Sequence, residues 1–98
     1  MEHSKFCVYI IFSEYLNRFY IGTTDDFAIR LTEHNTLKHE NSFTSRGIPW
    51  NEFLVIDNLE SDQAYEIEKH IKQMKSKKYI ADLKQYPEMV NKLKVRFQ

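Results

Sequence analysis

The stretch Phe6-Cys7-Val8-Tyr9-Ile10-Ile11-Phe12, followed after Ser13 to Arg18 by Phe19-Tyr20-Ile21-Gly22, decides the fold. The first run is rich in β-branched and aromatic residues and reads as a buried strand. Alternation puts Phe6, Val8, Ile10 and Phe12 on one face and Cys7, Tyr9 and Ile11 on the other. Ser13 to Arg18 is polar enough to turn the chain, so the second run pairs back as a β-hairpin. Tyr9 and Tyr20 then lie on paired strands, and their hydroxyls are expected on one side of the hairpin.

Working outward, Thr24-Asp25-Asp26 offers a helix N-cap, and Phe27, Ile29 or Arg30, Leu31 and His34 follow at helical spacing up to about Leu37. Lys38 to Gly47 is polar and reads as a loop, of a length more common at functional sites than in simple connections. Ile48-Pro49-Trp50 ends it, and Glu52 to Ile56 reads as a third strand. Ser61 or Asp62 can cap a helix in which Ala64, Ile67, Ile71 and Met74 form one buried stripe. A shorter helix around Tyr79 to Leu83 and another from Pro87 to Val95, with proline in its first turn, complete the chain. The condensed order β-β-α-β-α-α predicts an α/β (α+β) fold, a small three-stranded antiparallel sheet flanked by helices, as one domain over residues 1–98.

Composition narrows the function classes. Lys plus Arg and Asp plus Glu are 14 each, so the net charge is zero, which argues against tight, independent DNA binding. Charge is unevenly placed: Lys69, Lys72, Lys75, Lys77 and Lys78 follow Asp57, Glu60, Asp62, Glu66 and Glu68. The plain reading is a solvated helix face with cations near its C-terminus; the functional reading is a phosphate-binding patch. The single cysteine, Cys7, sits in the apolar run and is expected as a buried, reduced thiol, and the four scattered histidines show no zinc-ligand spacing. Phe6 to Phe12 is too short to span a bilayer and lacks the flanks of a secretory signal, so no membrane is expected and the cytoplasm is the expected compartment.

Val8-Tyr9-Ile10, then Tyr20-Ile21-Gly22 after a short hairpin, then Arg30 on the following helix resembles the signature of the GIY-YIG nuclease superfamily, with Val in place of the first Gly. His34 in Arg30-Leu31-Thr32-Glu33-His34-Asn35 fits the same pattern. Thr44-Ser45-Arg46-Gly47-Ile48-Pro49-Trp50 and Glu68-Lys69-His70-Ile71-Lys72, with the trailing Lys77-Lys78, resemble the small single-domain bacterial members related to the N-terminal nuclease module of the UvrC repair protein. The resemblance runs from about Lys5 to Leu83. It implies a divalent-metal-dependent endonuclease, with DNA as the expected polymer and DNA repair as the setting. Tyr9, Tyr20, Arg30, His34 and Glu68 become the implied catalytic set, with Arg30 on the scissile phosphate and Glu68 holding one Mg²⁺ or Mn²⁺.

The residue types suit those roles. Arg30 and His34 are i and i+4 on a helix and share a face, pairing a planar cation that grips phosphate with a proton donor or acceptor. Helical phase separates the two candidate carboxylates: Glu68 borders the buried stripe, whereas Glu66 points away from it. The bland alternative for Glu68 is a surface pair with Lys72 at i+4. Arg46, Lys72, Lys75, Lys77 and Lys78 are the candidate nucleic-acid contacts. One departure from the family pattern concerns an Asn commonly found downstream of the glutamate, since here the first Asn after Glu68 is Asn91. Two readings therefore stand, a metal-dependent endonuclease and a catalytically inactive module that binds nucleic acid or docks a protein partner.

Overall fold

Described by a computed structural model over residues 5–36 and 44–98, the chain is organised on its first strand. β1 (Phe6–Ser13) is the middle strand of a three-stranded antiparallel sheet of order β2-β1-β3, with β2 at Arg18–Thr24 and β3 at Trp50–Leu59. A central strand needs apolar residues on both faces, which is why the run from Cys7 to Ile11 is buried without interruption. Four helices follow the strands: α1 (Phe27–His34), α2 (Ser61–Met74), α3 (Lys77–Gln85) and α4 (Pro87–Arg96). The three helical segments read after the third strand are thus all present.

The two faces carry different cores. On one, Val8 and Ile10 pack with Ile56 and with Ala64, Ile67 and Ile71 of α2, closed off by Ile80, Leu83 and Leu93 of the last two helices. On the other, Tyr9, Ile11 and Trp50 pack with Phe27 and Leu31 of α1. The sheet therefore separates α1 from α2, and anything built from both helices must form at a strand edge.

Several boundaries differ from expectation. β3 extends beyond Glu52 to Ile56 at both ends, because Phe6 pairs with Leu59 and Ser13 with Trp50 along the whole of β1. Register shifts between Phe6 and Val8 and between Ile10 and Ile11 accommodate the longer partner, and Asn58 takes the left-handed conformation at φ 62° near one of them. Met74 does not join the buried stripe and is 44% exposed. It is the last residue of α2, and Lys75 turns the chain away in a left-handed C-cap. Glu60, rather than Ser61 or Asp62, is the N-cap of α2, with its amide donating to Gln63 Oε1 at 3.2 Å. α1 ends at His34, and the expected reach to Leu37 and most of the Lys38 to Gly47 loop lie outside the described residues. Thr44–Gly47 forms one turn of 3₁₀ helix before β3.

Candidate active site

Strand register brings the tyrosines together. Tyr9 pairs with Gly22 and Ile11 with Tyr20, so both tyrosine side chains project from the α1 face as diagonal neighbours. Their rings lie 6.3 Å apart at 25°. Gly22 has a steric reason to be glycine: a Cβ there would lie 2.5 Å from Tyr9 Cζ and 2.8 Å from Cε1. The Tyr9 ring occupies the space a side chain would need.

α1 supplies the next two groups. Asp26 caps it by accepting from the Ile29 amide at 3.1 Å, which sets the phase of the helix. His34 points inward at the last turn, with Nε2 2.9 Å from the Tyr9 hydroxyl and its ring 4.8 Å from that of Tyr20. Arg30, one turn earlier, is exposed and pairs with Glu33 at 3.3 Å. Asn35, just beyond the helix, holds β3 in place: its side-chain amide donates to Trp50 O at 2.9 Å and its Oδ1 accepts from Trp50 N at 2.6 Å. That clamp fixes Trp50, which meets Tyr20 edge-on at 6.1 Å.

Glu68 approaches from the opposite face. Thr23 pairs with Val8 and so faces α2, where its hydroxyl donates to Glu68 Oε1 at 2.5 Å. Lys72 donates to Oε2 at 2.6 Å, so the i+4 pair of the bland alternative is present as well. The Glu68 side chain is 17% exposed, while Glu66 is solvent-facing. β2 is one of the two edge strands, and at its Gly22-Thr23 step successive residues face the α1 side and the α2 side.

Charges on both sides of the sheet act on Tyr9. Burial pushes the Tyr9 hydroxyl pKa well above its ordinary value; Tyr20 adds to the rise, Arg30 opposes it, and Glu68 adds again. Arg30 and Glu68, from opposite sides of the sheet, thus both act on one phenol. A raised phenol pKa destabilises the fold at high pH. The unfolded chain ionises Tyr9 near the ordinary value of about 10 while the folded chain does not, so the contribution holds below that pH and is lost as pH rises through the folded value. Tyr9→Phe is expected to lower stability by about 1–3 kcal/mol at neutral pH, because the hydroxyl meeting buried His34 is lost. It should also flatten the loss of stability above pH 10, leaving the parts contributed by Tyr79 and Cys7, whose pKa values burial also raises, and by Lys78, raised by its bond to Asp82. Urea titrations from pH 7 to 11 check both; equal slopes for the two proteins would show that Tyr9 ionises freely in the fold.

Glu68 is the one predicted metal ligand, and among the described residues no group of three His, Cys, Asp or Glu is placed to hold an ion. A single half-buried carboxylate fits Mg²⁺ or Mn²⁺ as one hard oxygen donor, provided the exposed Lys72 ammonium yields its oxygen and water or phosphate supplies the other ligands. Asn91 is exposed on α4 in a shallow depression with Lys92 and Val95, apart from Glu68. Of the candidate nucleic-acid contacts, Lys72 is held on Glu68, Lys75 and Lys77 line one cleft, and Lys78 pairs with Asp82 at 3.0 Å. Arg46 is exposed on the 3₁₀ turn, outside that cleft. Cys7 is buried, and burial pushes its thiol pKa up, which disfavours the reactive thiolate.

Thr23, Asn35 and Arg18 escaped the reading of the sequence. Thr23 carried a usable signal, since it is the first position after Gly22 on the α2 face. No helix among the described residues is long and apolar enough to cross a membrane. No curated protein and no solved structure matches the chain. A family model described as the GIY-YIG catalytic domain matches residues 5–80, and it takes in both tyrosine strands, Arg30, His34 and Glu68. With most of its length matched in this way, the chain belongs to the GIY-YIG nuclease family.

Proposed function

We propose that this protein is a divalent-metal-dependent endonuclease that hydrolyses a nucleic-acid phosphodiester, with DNA as the polymer. The observation that supports the reading is the cluster at the β2 edge, with the Tyr9 hydroxyl 2.9 Å from His34 Nε2, the Tyr20 ring against the same histidine, and Glu68 held by Thr23 one residue along the strand from Gly22. A phosphodiester needs a cation to bind its oxygens and to stabilise the charge that grows on them. Arg30 is exposed, and its pair with Glu33 is a surface pair worth at most about 1 kcal/mol, so a phosphate displaces it readily. Glu68 is held at a fixed place by Thr23 and is the residue that would ligate Mg²⁺ or Mn²⁺. When bound, that ion supplies Lewis-acid polarisation of the phosphate and acidifies water.

The raised pKa takes Tyr9 out of the role of base at neutral pH, and in this reading its hydroxyl positions the His34 ring. Tyr20, less buried and in ring contact with His34, shares with that histidine the task of taking the proton of the attacking water. Arg30→Lys keeps the charge but loses the planar fork, and cleavage should fall about 100-fold. A rate within threefold of wild type would remove Arg30 from the phosphate.

The second reading, an inactive binding module, draws on the engagement of both Glu68 oxygens by Thr23 and Lys72 and on the sequence after Glu68, where the first Asn is Asn91. One assay separates the two. Single-stranded, duplex and flap DNA, with the matching RNAs, are incubated with Mg²⁺ or Mn²⁺ and with a chelator. Product that requires the metal supports the nuclease, whereas binding without product on every substrate supports the module.

A further inference from the structure

Beside the β2 edge lies a cleft that the catalytic set does not use. It occupies about 560 Å³ between the β1-β2 turn and the junction of α2 with α3. Arg18, Lys75 and Lys77 stand at its rim, Phe19, Ile21 and Ile80 form its floor, and no acidic residue is among the described residues that line it. In a chain of zero net charge, three cations around one acid-free concavity form a local positive field. The apolar floor lowers the local dielectric and strengthens the field of each charge.

Three details sharpen the picture. Lys77 is anchored: its ammonium donates to Asn17 O at 3.0 Å, across from α3 to the turn, which holds a charge over the cleft. Lys75 has φ 48°, a left-handed position where glycine or asparagine is usual, so a cation stands where the backbone disfavours it. Lys75 also lines the neighbouring depression that contains Glu68 and Lys72, so the two hollows share this lysine. Along β2, Ile21 in the floor lies two residues from Thr23, the partner of Glu68. Two residues of strand are about 7 Å.

We propose that this cleft is a second phosphate subsite, which holds a non-scissile phosphate of the substrate strand through Arg18, Lys75 and Lys77 while the adjoining sugar rests on Phe19, Ile21 and Ile80. The proposal rests on the nucleic-acid substrate of the preceding section and adds the direction in which the strand runs, along the β2 edge from Glu68 towards the β1-β2 turn. It also sorts the lysine run: Lys75 and Lys77, which line the cleft, contact the strand, whereas Lys78, which does not line it, does not.

The test measures binding of a fluorescent single-stranded 12-nucleotide DNA by anisotropy, in chelator, between 50 and 200 mM salt. Wild type is compared with Arg18→Gln, Arg18→Gln/Lys77→Gln and Lys78→Gln, with circular dichroism as the check on folding. Arg18→Gln alone leaves the anchor from Lys77 to Asn17 in place and keeps the test valid should the double variant unfold. Each phosphate that the protein no longer neutralises should reduce the slope of log affinity against log salt by about 0.7. Arg18→Gln should therefore lower both slope and affinity, the double variant more so, and Lys78→Gln neither. An Arg18→Gln slope equal to that of wild type, with wild type bound, overturns the subsite and leaves the nuclease standing. Reduced slopes in a protein that cleaves nothing support the subsite and count against the nuclease. Wild type that shows no salt-dependent binding overturns the subsite, and the metal-dependent cleavage assay then decides the nuclease separately.

Discussion

Gly22→Ala is expected to destabilise the protein by about 3 kcal/mol, the upper end of the usual cost of inserting a methyl group into a packed core. The added Cβ would fall within 3.0 Å of three atoms of the Tyr9 side chain, two of them in the ring, and that ring cannot retreat. It is 1% exposed and wedged among Phe27, His34 and Tyr20. In a domain of this size such a loss lowers the melting temperature by more than about 10 °C. Activity should fall further than stability alone explains, because a displaced Tyr9 breaks its hydrogen bond to His34. A double-mutant comparison isolates the cause: in a Tyr9→Leu background, Gly22→Ala should cost less than about 1 kcal/mol. An equal cost in both backgrounds would show that the glycine serves something other than the close approach of Tyr9.

That glycine illustrates what can be read from the residues and what cannot. The hairpin and its two-sided burial follow from alternation over Phe6 to Phe12, a local property. Helical phase separates Glu68 from Glu66 in the same way. Met74 shares the spacing of Ala64, Ile67 and Ile71 yet is exposed, since periodicity does not show where a helix stops being covered. β3 looked short because Asp57-Asn58 has the composition of a turn, and only pairing with all of β1 carries the strand through it. The contact of Thr23 with Glu68 spans 45 positions and depends on how α2 docks across the sheet, which nothing local specifies. The same holds for the Arg18 cleft, which unites the β1-β2 turn with the start of α3.

Position across the sheet also explains the division of labour. Tyr9, Tyr20, Arg30 and His34 belong to the β1-β2-α1 half, continuous in sequence from β1 to α1. Glu68 alone comes from α2. The proposed catalytic set, divided in this way, is sensitive to the docking of α2, and the Thr23 hydroxyl is the described link between the halves at the carboxylate itself.

Glu68→Gln tests the account most directly. The amide keeps the size of the side chain and an oxygen to accept from Thr23, so the fold should be unchanged, but it loses the charge that would hold a divalent ion. A cleavage time course in Mg²⁺ or Mn²⁺ should show the variant at least about 1,000-fold slower than wild type, on the scale of removing a principal electrostatic contribution to the transition state. Binding of the substrate strand should persist or improve, because an anion facing a polyanion is gone. Glu66→Gln, two residues away and facing solvent, should cleave within twofold of wild type. Wild-type activity in Glu68→Gln, with both variants folded, would contradict the assignment of Glu68 and with it the proposed active site.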